Sequence, residues 1–100
     1  MNNLKPYNEA ILKLCQTHKV KALYIFGSVL NDNFNSKSDI DFIVDFQPID
    51  VLEYADNYFD LKFSLESILS RDIDLLEDKA IKNPYFKQKV NLERQLIYGQ

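Results

Sequence analysis

The sequence predicts an α/β fold, a small mixed β-sheet flanked by helices. Three observations carry that expectation. Two short strand-like runs, Asp39–Phe46 and Asp72–Leu76, enclose a long amphipathic helical stretch. A third apolar run, Lys21–Phe26, stops abruptly at Gly27-Ser28. Helical periodicity precedes that run and returns after the last strand, and 100 residues are enough for a single domain spanning 1–100.

The first helix is expected from about Tyr7 to Thr17, because Ile11, Leu14 and Cys15 recur at i, i+3 and i+4 with Lys13 and Gln16 on the other side. Lys21–Phe26 reads as a mostly buried strand. After Gly27-Ser28 come a short helical segment and a polar loop, Asn31–Ser38. The second strand alternates, with Ile40, Phe42, Val44 and Phe46 on one face and Asp39, Asp41, Ile43 and Asp45 on the other. Pro48 ends it. Asp50, followed by Glu53, has the form of an N-cap with its capping-box partner. The helix it opens should reach about Leu69 on the stripe Val51, Tyr54, Ala55, Tyr58, Leu61, Leu65, Ile68 and Leu69. Asp72–Leu76 supplies the third strand. Asn83-Pro84 pairs an N-cap with proline in the first turn, and the last helix is expected to run to about Tyr98 with Gly99 as its cap. A strand–helix–strand crossover makes the second and third strands parallel.

Composition excludes several classes. With 46% hydrophobic and 27% charged residues the chain is neither disordered nor membrane-spanning, since no apolar run approaches the roughly 18 residues a span requires. The first residues lack the apolar core of a secretory leader, so a cytoplasmic location is expected. The single cysteine, Cys15, allows no internal disulfide and reads as a buried inert thiol. His18 reads as a helix-end residue complementing the dipole. Twelve basic against 15 acidic side chains, a net charge of −3, argue against direct nucleic-acid binding. A nucleotide ligand stays open, because bound metal ions can reverse a local field.

The informative constellation is Gly27-Ser28, ten intervening residues, then Asp39-Ile40-Asp41. Residues i and i+2 on a strand point to one side about 6–7 Å apart. Two carboxylates held that close repel unless a cation joins them. Hard oxygen donors suit Mg²⁺, which takes one or two carboxylates and completes its shell with water and phosphate. Gly27 permits close approach of the backbone to a phosphate, and Ser28 can donate from its hydroxyl and amide. If the second and third strands are parallel, Asp74 lies level with Asp39 and Asp41. For Ser28 to join them, the first strand must be antiparallel to the second. Three converging carboxylates can hold two metal ions about 3.5–4 Å apart. A register displaced by two residues would put Asp72 in the place of Asp74.

Gly27-Ser28 followed by Asp39 and Asp41 resembles the signature of the DNA polymerase β–type nucleotidyltransferase superfamily. The segments SDIDFIV (Ser38–Val44) and RDIDLL (Arg71–Leu76) resemble its minimal branch, the MNT proteins, commonly encoded beside a HEPN-domain toxin whose antitoxin they are. The resemblance runs from about Lys21 through the last helix and implies the nucleotidyltransferase fold. It implies Asp39 and Asp41 as ligands of two Mg²⁺ ions. It implies Asp74 as ligand of the ion that activates the acceptor and as acceptor of its proton, since Asp74 rather than Asp72 matches the family's Asp-Leu position. Gly27 and Ser28 would grip the triphosphate of ATP. One departure is visible. Minimal members often carry an arginine soon after the Gly-Ser pair, whereas Val29–Asn33 holds no basic residue. Lys37 is the nearest cation and either substitutes or is a solvated loop lysine. Arg71 either contacts phosphate or complements the dipole of the preceding helix.

With no second domain to cradle an acceptor, a partner is expected to supply it. Three functions follow. The first is AMPylation of a hydroxyl, tyrosine by the resemblance, on a HEPN toxin in a hetero-oligomer. The second is an antitoxin that neutralises by occlusion alone. The third is the catalytic subunit of a two-component enzyme acting on a small molecule. Phe59 and Phe63 suggest a partner interface, while Tyr54 and Tyr58 are accounted for by packing.

Overall fold

The structure, a computed structural model, describes residues 2–26 and 39–99. A 3₁₀ segment, Asn2–Tyr7, leads into α1 (Asn8–Thr17) and β1 (Val20–Phe26). Then follow β2 (Ile40–Phe46), α2 (Val51–Leu69), β3 (Ile73–Glu77), a 3₁₀ turn (Asp78–Ala80), α3 (Pro84–Glu93) and β4 (Gln95–Tyr98). The four strands form one sheet in the order β3-β2-β1-β4. β1 is antiparallel to β2 and to β4, and β2 is parallel to β3, which is the mixed arrangement expected of the first three strands. The short helical segment and polar loop expected between β1 and β2 fall at 27–38, outside the described residues.

Period-two alternation divides the sheet into two faces. Leu23, Ile25, Ile40, Phe42, Val44, Phe46, Ile73 and Leu75 are buried in one cluster with Ile11 and Cys15 of α1 and Leu61, Leu65 and Leu69 of α2. Burial pushes the Cys15 thiol up to about 12, so it is a packing residue, as expected. Tyr54 and Tyr58 are half-buried and pin α2 to β3: the Tyr54 hydroxyl donates to the Glu77 carboxylate, the Tyr58 hydroxyl to the Leu75 carbonyl. Asp50 caps α2 by accepting from the Leu52 amide at 2.9 Å. Asn83 caps α3 through the Tyr85 and Phe86 amides, with Pro84 in the first turn.

Two expectations are corrected. α2 buries its stripe only from Leu61 onwards, so Val51 and Ala55, in its first turns, are exposed. The last helix stops at Glu93, because Arg94 adopts an extended conformation (φ −69°, ψ 149°), and Gln95–Tyr98 pairs with the free edge of β1 instead. Gly99 is therefore not a helix cap. Its φ is +95°, and a Cβ there would lie 2.2 Å from the Lys21 carbonyl oxygen, so glycine is needed for close backbone approach.

Candidate active site

The second face of the sheet carries the carboxylates. Antiparallel register pairs Phe26 with Asp41 and Tyr24 with Ile43. Parallel register pairs Asp41 with Asp74 and Ile43 with Leu76. Register partners share a face and adjacent strands lie about 4.8 Å apart, so Asp41 and Asp74 emerge side by side, and their side chains are hydrogen-bonded. Two carboxyl groups can bond to each other only when one keeps a proton. Asp41 is accordingly pushed up to about 6, by burial first, then by the hydrogen bond to Asp74 and its charge, and last by the charge of Asp39. Asp39 is exposed, one residue before β2 begins.

Asp72 takes another place. It precedes β3 and is exposed, and its carbonyl accepts the Ile40 amide at 3.5 Å. The register thus brings Asp74, not Asp72, against Asp41. Arg71 sits half-buried in the turn from α2 to β3, after Ser70 in the left-handed conformation, with its amide directed at the Glu66 carbonyl. Gly27, Ser28 and Lys37 lie outside the described residues. What the structure adds is that β1 ends, at Phe26, level with Asp41.

Among the described residues no three His, Cys, Asp or Glu side chains come together as a group that could hold a metal ion, so the expected convergence of Asp39 with Asp41 and Asp74 is met only by the last two. The donor set is open: two carboxylates in contact, with a third adding its charge. That fits Mg²⁺, which keeps several positions for water and substrate phosphate. A cation there would relieve the like-charge repulsion that, after burial, helps to raise the Asp41 pKa.

The sequence did not reveal how α3 walls this face. Phe86 meets Phe26 edge-on at 6.0 Å, Val90 is fully buried, and the Arg94 guanidinium lies 3.9 Å over the Tyr24 ring. Arg94 also bonds Asp78 at 2.9 Å, and Lys87 donates to the same carboxylate. The i, i+3, i+7 spacing of Lys87, Val90 and Arg94 was the available signal, since it places two cations and one apolar residue on a single helix face.

Comparison with known proteins bears on the chain and its fold as a whole. Residues 9–100 match the family model described as "Polymerase beta, Nucleotidyltransferase". Two proteins of Methanocaldococcus jannaschii, each named "Putative protein adenylyltransferase", are similar along nearly their whole lengths. One is 39% identical over 91 residues, covering 91% of this chain and 86% of the relative. The other is 34% identical over 102 residues, covering 98% and 99%. A solved structure described as a "putative minimal nucleotidyltransferase" superposes with a TM-score of 0.77 at 28% identity, covering 94% of this chain and 92% of that one. A chain of a toxin–antitoxin structure with AMP-PNP gives 0.71 at 25% identity, covering 93% and 73%. A chain in the complex of tri-AMPylated Shewanella oneidensis HEPN toxin with MNT antitoxin shares the fold, with a TM-score of 0.66 at 23% identity over 96% of this chain and 72% of that one.

Proposed function

The chain belongs to the polymerase β nucleotidyltransferase family, and we propose that it is the antitoxin of a two-protein pair, transferring AMP from ATP to a tyrosine hydroxyl of a HEPN toxin. The observation that carries the reading is the Asp41–Asp74 pair, two strand-borne carboxyl groups in direct contact on the face level with the end of β1. The relatives' name as protein adenylyltransferases supports a protein acceptor, and the AMP-PNP structure supports an adenine nucleotide.

In this mechanism the acceptor oxygen attacks the α-phosphorus of ATP, the bond to the bridging oxygen breaks, and pyrophosphate leaves. Asp39, Asp41 and Asp74 would hold Mg²⁺, which when bound neutralises phosphate charge and favours loss of the acceptor proton. Asp74, the more exposed of the contacting pair, takes up that proton. Gly27 and Ser28 contact the triphosphate, and Lys37 and Arg71 are its candidate cations. Phe26, Phe86 and Val90 form an apolar wall that limits water at the reacting face.

The test is transfer of label from α-labelled ATP to purified HEPN partner in the presence of Mg²⁺. Labelling is expected with the native chain, and a fall beyond the roughly 100-fold cost typical of outer-shell changes is expected for Asp39→Ala and Asp41→Ala. Undiminished labelling in those variants would refute the metal assignment. The absence of a cation in Val29–Asn33 favours one second reading, neutralisation by binding alone. It predicts no labelling by the native chain, together with protection of cells by Asp41→Ala.

A further inference from the structure

On the side of the molecule away from the carboxylates, α2 presents an aromatic ridge to solvent. Leu52, Phe59 and Phe63, spaced i, i+7 and i+11, fall on one line opposite the buried Leu61, Leu65 and Leu69. They are 87%, 50% and 57% exposed, and the two phenyl rings stack at 6.0 Å. Beside the ridge a groove of about 640 Å³ separates α2 from the α1–β1 junction. Phe59, Phe63 and Ile49 give it an apolar shelf; Glu53, Asp56 and Asp60 give it an acidic rim. His18 Nε2 lies 2.5 Å from Asp60 Oδ2 and fixes one end of that rim, yet the Asp60 side chain stays 72% exposed. Lys19 also lines the groove. Lys62, the single cation of α2, bonds Glu66 at 3.4 Å and covers the Phe63 ring.

We propose that this groove and ridge dock a basic amphipathic helix of a partner protein, its apolar side chains on Phe59 and Phe63 and its Lys or Arg side chains on Glu53, Asp56 and Asp60. Charge selects the occupant. This face paired with the same face of a second copy would set Glu53, Asp56 and Asp60 against one another, and a nucleic acid would set phosphates against the three carboxylates. Exposed stacked rings inside a charged rim are the arrangement of an interface centre, where aromatic anchors are excluded from water by polar surroundings. The inference rests on the preceding reading for the existence of a protein partner; the surface itself is separate from the carboxylate site.

The test uses the full chain and a synthetic 18-residue helix with leucine on one face and lysine on the other, beside a twin with glutamate replacing lysine. Amide shift mapping should show the lysine peptide perturbing residues of the groove, with binding weakened by salt. Glu53→Lys/Asp56→Lys should weaken it at least about tenfold, as should Phe59→Ser/Phe63→Ser. The charge reversal sits on exposed positions and leaves the fold intact, so it decides the matter if the phenylalanine variant fails to fold. Equal binding of the glutamate twin, shifts confined to other surfaces, or a self-dimer in sedimentation that Phe63→Ser disperses would each overturn the proposal. MgATP titrated into the same sample reports the carboxylate site independently. Lost peptide binding with nucleotide binding intact sinks the docking surface alone.

Discussion

Asp41 and Phe42 are neighbours on β2, and the pleat sends them to opposite sides of one sheet. Phe42 is completely buried in the cluster closed by α1 and α2. Asp41 is half-buried on the face that α3 only partly covers, beside a second carboxylate that raises its proton affinity. One side of the sheet is built from groups that gain by leaving water; the other holds like charges at a cost to stability. A fold this small can carry such a site because the opposite face is wholly apolar. Exchanging the neighbours therefore separates the two functions. Phe42→Ala should cost about 3–5 kcal/mol through lost burial and a cavity, a large share of the stability of a 100-residue domain, seen as a steep fall in the urea midpoint. Asp41→Asn should abolish transfer while leaving Tm unchanged or higher in metal-free buffer, because the amide still reaches Asp74 without the charge. If both variants lost stability equally, the division of labour between the faces would be wrong.

The same contrast explains what could be read from the sequence. On β2 hydrophobic and acidic positions alternate except at Ile43, so the pattern that locates the core also locates the carboxylates. The strand–helix–strand spacing made the two strands parallel but left Asp72 open as an alternative; the resemblance favoured Asp74, and the observed register pairs Asp74 with Asp41. β4 was hidden for a physical reason. Val90 and Ile97 keep the i, i+7 spacing of a continuing helix, and what ends the helix is the unpaired edge of β1, a tertiary demand that local periodicity does not encode. Gly27-Ser28, the proposed triphosphate contact, was legible as a motif, but it and Lys37 lie outside the described residues. Gly99 offers a direct check on the corrected end of the sheet. Gly99→Ala must move backbone away from the Lys21 carbonyl, costing about 1–3 kcal/mol and lowering hydrogen-exchange protection of the Leu23 and Tyr24 amides. Unchanged protection would mean that β4 does not seal that edge.

The smallest expected effect probes how α3 is held over the carboxylate face. Asp78, just beyond β3, sits between Lys87 and Arg94. Burial alone would raise its pKa, but the hydrogen bond and charge of Lys87 and then those of Arg94 outweigh it, and the carboxyl is held below the ordinary aspartate value. A depressed folded-state pKa means that the ionised form stabilises the fold. The contribution is complete above the unfolded value near 4 and disappears as pH falls through the lower folded value. Asp78→Asn should therefore cost about 1–2 kcal/mol at pH 7, and its urea midpoint should converge with that of the native chain as pH drops below about 4. Arg94 would lose the partner that holds it over Tyr24, so α3 should loosen and transfer should fall severalfold, less than for any carboxylate of the site. A destabilisation that persisted unchanged at pH 3 would show that Asp78 acts through packing, and that α3 is kept in place by Phe86 and Val90 alone.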